Sequence, residues 1–143
     1  MSNIVWRRPD GGISVTLCAE GIDIEMHAGQ LMDGPECPGE LIGIGVALPD
    51  YDEFRDAWRL RAGKVIVDMD AARELRRKQL RRERAPRLAA LDIEAMIADE
   101  TDDAEEKADI VRVKRLLRDI TKSPAIEAAQ TLDDLRAVVL PIR

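Results

Sequence analysis

Two adjoining blocks of opposite charge, both with helical spacing, constrain this chain more than any other feature. Between Arg73 and Arg87 there are eight Lys/Arg against two Glu, a local net of +6. Between Asp92 and Asp109 there are nine Asp/Glu against one Lys, a local net of −8. At about 3.6 residues per turn the basic side chains surround their helix and leave only a narrow apolar seam. Neither block carries a nucleophile, a ligand cluster or a glycine loop. That points to a protein that works by touching other proteins, with no reaction to perform.

The period of the apolar residues divides the chain at Asp68-Met69-Asp70, from two before it to about 3.6 after it. Ahead of that point, Ile4–Arg8 and Ile13–Leu17 predict strands joined by the turn Pro9-Asp10-Gly11-Gly12. Ile22–Met32 predicts a short helix carrying Ile24, His27 and Leu31. Residues 33–39 are loop, and Leu41–Leu48 is a strand whose glycines allow bends. Pro49–Phe54 is a turn, and Ala57–Leu60 with Lys64–Asp68 form a second hairpin around Arg61-Ala62-Gly63. The first 68 residues therefore predict a small antiparallel sheet, a size marginal in stability alone. All four aromatic residues, Trp6, Tyr51, Phe54 and Trp58, lie in this part.

Behind it, Asp70 is the expected cap of a helix that continues to about Asp99, with a kink or short break at Arg84–Pro86 where proline removes a backbone bond. Thr101-Asp102-Asp103 caps a second helix whose stripe is Ile110, Val113, Leu117 and Ile120. Together they predict a helical hairpin with a negative tip and a positive root. Ser123-Pro124 opens a short helix through Ala129, Thr131-Leu132-Asp133-Asp134 resembles a capping box, and Pro141 ends the last turn. The expected class is α+β: a small antiparallel β-rich N-terminal domain (1–68), a long kinked helical hairpin (69–122) and a short capped C-terminal helix and tail (123–143).

Composition narrows the function classes. The chain carries 22 Lys/Arg against 28 Asp/Glu, and a net negative protein lacks the positive face that duplex nucleic acid requires. No apolar run approaches the roughly 20 residues that span a bilayer. The N-terminus lacks the basic-then-apolar layout of a signal peptide, so synthesis in a cytoplasm is expected. Cys18 and Cys37 cannot form a disulfide framework; they stay reduced, pair with each other, or cross-link neighbours.

Each candidate for chemistry has a plainer account. His27, with eight residues between it and Cys18 and nine between it and Cys37, is far from any zinc spacing, so no metal is expected there. Residues 99–103 lack the glycine and ligand periodicity of a calcium loop. Asp68-Met69-Asp70 suits helix capping better than magnesium. Ser14 and Ser123 have no base in view, and Gly43, Gly45 and Gly63 do not make a phosphate loop. No cofactor is expected. The basic block can grip an acidic partner, DNA or a lipid surface, or be a solvated helix whose charges pair with its own neighbours.

The segments Asp70–Arg77, Arg84–Asp92, Leu116–Ala129 and Thr131–Leu135, with Phe54-Arg55-Asp56-Ala57-Trp58, resemble small proteins encoded among the tail and tail-fibre genes of bacteriophages and prophages. The pattern is similar to the C-terminal helices of tail-fibre assembly or tail-chaperone-like proteins. The resemblance implies a non-enzymatic virion subunit, attached near fibres or baseplate and made in the host cytoplasm. Its partners would be other tail or fibre proteins, in a homo- or hetero-oligomer. A transient assembly chaperone and a DNA-associated prophage regulator are the alternatives. Expected contact residues are Arg76, Arg77, Arg81, Arg82 and Arg84, with Phe54 and Trp58 as anchors where the head meets the hairpin.

Overall fold

The front of the chain folds around one strand that is buried on both sides. In the computed structural model, which describes residues 1–142, β1 (Ser2–Arg7) lies between β2 (Ile13–Cys18) and β3 (Glu40–Ile44), antiparallel to both. Successive side chains of a strand point to opposite faces. Ile4 and Trp6 therefore enter one cluster with Cys18 and Ala28, the latter from α1 (Ile24–Asp33). Val5 enters another with Ile13, Trp58 and Val65 on the opposite face. Trp58 and Val65 belong to β4 (Trp58–Arg61) and β5 (Lys64–Val67), which form a separate two-stranded ribbon. The sequence predicts a single small sheet; the second hairpin is instead a layer laid over the first.

Local chemistry sets the ends of these elements. The turn after β1 closes with Arg8 N–H donating to the Gly12 carbonyl, 2.8 Å. Asp10 accepts from Gly12 N–H at 2.8 Å, and this bond, aided by Arg8, holds its carboxyl below the usual range. β3 stops at Ile44, short of the expected Leu48, because Gly45 turns away at φ 64°. The Asn3 side chain then ties down the departing strand through Val46 N and O, both at 3.0 Å. At Gly39 a Cβ would fall 2.2 Å from the Arg7 carbonyl oxygen, so only glycine fits beside β1. Residues 52–57, expected within a turn and the start of a strand, form a 3₁₀ turn that buries Phe54 and Ala57.

Contacts divide the chain into two compact units, Met1–Ala72 and one from Arg73 onward. That boundary falls inside the first turns of α2 (Met69–Glu100), and hairpin and tail share one unit where the sequence suggests two segments. The cap of α2 is Asp68 and not Asp70: Asp68 Oδ1 accepts from the N–H of Asp70 (3.0 Å) and Ala71 (3.3 Å).

In the second unit, α2 and α3 (Ala104–Asp119) join through residues 101–103, with Asp103 accepting from Glu106 N–H at 2.9 Å as the expected cap. Leu91 and Ala98 pack on Ile110, Val113 and Leu117, with Leu88, Ala95 and Leu140 beside them. The expected break at Arg84–Pro86 is absent: α2 runs unbroken through Pro86. Proline removes the bond to the Arg82 carbonyl and costs about 3 kcal/mol. Leu80 and Leu91 are buried on either side, so a break would give up packing at both. Arg82 and Pro86 lie on the exposed side, where water can take the freed carbonyl.

A 3₁₀ turn at Ile120–Lys122 follows, then α4 (Pro124–Ala128) and α5 (Leu132–Ala137). The Ser123 cap and the Thr131–Asp134 capping box form as the sequence predicts. Asp134 accepts from the backbone of Gln130 (2.9 Å) and Thr131 (3.1 Å), which holds it below its usual value.

Candidate protein-interaction site

The basic block does not surround α2 evenly in its contacts. Arg73, Arg76, Arg77, Arg84 and Arg87 recur at three- and four-residue steps and fall within about 60° of Leu80, on the helix's inward side. Lys78, Arg81 and Arg82 occupy the outward side and are exposed. The two sets have different chemistry.

The inward arginines close helix ends. A helix leaves its last carbonyls without donors and concentrates partial negative charge there. Arg73 Nη2 donates to the Ala129 carbonyl at the end of α4, 2.8 Å. Arg76, 8% exposed, donates to the Val138 carbonyl at the end of α5 from Nη2 (2.6 Å) and Nε (3.2 Å). Arg84 Nη1 donates to the carbonyls of Leu117 (3.2 Å) and Arg118 (2.7 Å) in the last turn of α3. Arg77 Nε reaches the Thr121 carbonyl at 3.3 Å, and Arg87 Nη2 the Pro141 carbonyl at 2.8 Å. Helices as short as α4 and α5 are marginal by themselves, so these bonds hold segments that propensity alone would not.

Two of these arginines also meet carboxylates. Arg76 Nη1 bonds Gln79 Oε1 (3.1 Å) and Glu83 Oε1 (3.2 Å), which satisfies the rest of its fork. Burial acts to lower the Arg77 value, but bonds to Glu127 and Glu74 outweigh it and raise the group above its ordinary value.

The expected contact residues thus separate. Arg76, Arg77 and Arg84 are engaged by the chain's own carbonyls and carboxylates. Phe54 and Trp58 are fully buried and offer no side-chain area to a partner; Trp58 is a core residue of the first unit. Trp58 Nε1 is buried without a hydrogen-bond partner among the described residues. Only Arg81 and Arg82 of the seven stand on the surface, and Lys78, absent from that set, joins them. None of the three has an ion pair or hydrogen bond among the described residues. The signal that separates the two sets was in the spacing: five arginines share the period of Leu80 and Leu91.

At the other end of the hairpin the charges cross between helices. Lys114 pairs with Asp92 at 2.5 Å, and Lys107 with Asp99 (2.9 Å) and Asp102 (3.5 Å). The bond to Asp99 comes first among the causes that raise Lys107 above its usual value. The carboxylates of residues 99–103 are therefore committed to a lysine and to the cap of α3, except that of Glu100, which is exposed and has no partner among the described residues.

The cysteines do not pair. Cys18 is buried as an apolar core residue beside Ile4 and Trp6, and exposed Cys37 donates to the Gly39 carbonyl at 3.2 Å. His27 lies half-buried on α1. Among the described residues no group of three or more His, Cys, Asp or Glu is placed to hold a metal ion. No helix among them is long and apolar enough to cross a membrane. Comparison with protein-family models, with curated proteins and with solved structures gives no match to this chain.

Proposed function

We propose that this chain is a non-enzymatic structural protein of a bacteriophage tail, a virion subunit near fibres or baseplate that acts through protein contacts. One observation carries the reading: the outward side of α2 presents Lys78, Arg81 and Arg82 without partners among the described residues, while the inward arginines donate to carbonyls at the ends of α3, α4 and α5. Charge left unpaired on a rigid helix is available to an acidic protein surface, where it steers approach and fixes orientation. The resemblance of residues 54–138 to tail-associated proteins names the setting in which such a surface would work. In this reading the chain is made in the host cytoplasm and resides in the particle.

The test is mass spectrometry of purified particles from cells expressing the chain with its neighbouring genes. A subunit appears in fixed copy number. Absence from particles, with retention in a complex with free fibre protein, moves the protein to the transient chaperone reading. Charge reversal at Arg81 and Arg82 should abolish capture of the partner; unchanged capture sinks the basic surface as an interface. Net negative charge disfavours the DNA-associated regulator, which a salt-sensitive shift of duplex DNA would restore.

A further inference from the structure

Beyond the inward seam, α2 carries a second face that nothing among the described residues covers. Lys78, Arg82, Ala89, Ile93, Met96 and Glu100 recur at steps of three, four or seven residues and lie within about 40° of Ala89 around the helix. Every one is exposed, including Ile93 (61%) and Met96 (64%), large apolar side chains that water solvates poorly. The pattern has an eleven-residue period, Lys78 to Ala89 to Glu100. Such a repeat follows a nearly straight helix, so the face stays in line over about 33 Å.

The ends of this face have opposite charge, and that selects its occupant. Two copies of α2 laid antiparallel about Ala89 put Lys78 of each beside Glu100 of the other, because the two positions are equally far from residue 89. Arg82 then falls level with Met96, whose side chain can lie along the arginine's aliphatic stem, and Ala85 with Ile93, so that a small side chain receives the isoleucine. Arg81 comes within a turn of Asp99 on the same flank. A parallel pairing would set lysine against lysine and glutamate against glutamate. We infer that the outward face of α2 is a two-fold interface at which a second copy of this chain docks antiparallel.

This names a partner for the surface on which the proposed function rests, and it shares that reading of α2 as an interaction helix. An interface of one helix per copy is small by the standard of obligate dimers, so association should be in the range of about 10 micromolar. Its two-fold form is the commonest symmetry of soluble oligomers.

Sedimentation velocity of the full chain, from about 1 to about 200 micromolar, should show a monomer–dimer equilibrium that weakens with salt. Ala89→Glu places two like charges at the axis and should leave monomer throughout, with unchanged helical circular dichroism. Lys78→Glu should raise the dissociation constant about tenfold, from two lost ion pairs and their repulsion. Adding Glu100→Lys to that variant restores the complementary pairs and should return the constant to within about twofold of the parent. A chain that is monomeric at the highest concentration, an oligomer indifferent to Ala89→Glu, or a double reversal that fails to restore pairing each overturns the interface. A monomer found in purified particles removes the self-pairing and leaves the tail reading; a dimer missing from particles does the reverse.

Discussion

The two halves of α2 have comparable helical spacing and are held in opposite ways. Before Pro86 the inward side is mainly arginine, and it is fixed by donors meeting carbonyls at the ends of α3, α4 and α5. After Pro86 the inward side, beyond Arg87, is Leu88, Leu91, Ala95 and Ala98, fixed by packing on α3. The difference follows what lies opposite. A full-length helix such as α3 offers an apolar stripe, whereas a string of helix ends offers unsatisfied oxygen. A charged side chain becomes an interior residue when its opposite surface is made of carbonyls. Charge density by itself does not predict exposure.

The largest effect is expected in the apolar half. Leu117→Ala removes a fully buried side chain from the cluster with Leu91 and Val113 and should cost about 3 kcal/mol in urea unfolding followed by helical signal. A loss below about 1 kcal/mol would mean this half is not held by packing.

Next comes the polar half, where Arg76→Lys keeps the charge and loses the fork. An ammonium cannot reproduce the paired bonds to Val138 together with those to Gln79 and Glu83, so a loss of about 2 kcal/mol is expected. Amide exchange should quicken in α5 more than in the α2–α3 tip. Equal effects at both places would erase the contrast drawn between the halves. The Asp103→Ala variant, which removes the α3 cap, should cost about 1 kcal/mol and loosen the tip first.

Asp134 provides a test by pH. Its folded value is depressed by the bonds from Gln130 and Thr131, so the stability it contributes is present above its ordinary value of 3.8. That contribution is lost as pH falls through the lower, folded value. Amide protection at Gln130 and Thr131 should therefore decline under strongly acid conditions, and Asp134→Asn should remove this dependence. A decline that begins at neutral pH would assign it to another group. The smallest effect is reserved for Arg82→Ala, which should change stability by less than about 0.5 kcal/mol because the side chain is exposed and has no hydrogen bond or ion pair among the described residues.

Much of the fold was legible because short-range chemistry is written in adjacent residues. The first hairpin, the caps at Asp103 and Ser123, the Thr131–Asp134 box and the α+β order all follow from turn and cap preferences. The errors are long-range. Pro86 reads as a break from its neighbours, and only the packing of Leu80 and Leu91 on either side keeps α2 whole. Gly45 cuts β3 short, and the second hairpin becomes a separate layer because β1 already has a neighbour on each edge.

The candidate site shows the same division. Sequence alone determined that this stretch is helical and dense in arginine, since period and composition are local properties. The spacing marks which arginines share the side of Leu80, but tertiary structure alone decided what they meet there, because that depends on where the ends of α3, α4 and α5 arrive. Those carbonyls come from residues 33 to 62 positions away along the chain. A guanidinium is drawn in wherever such oxygens lack donors, and it stays in water wherever they do not.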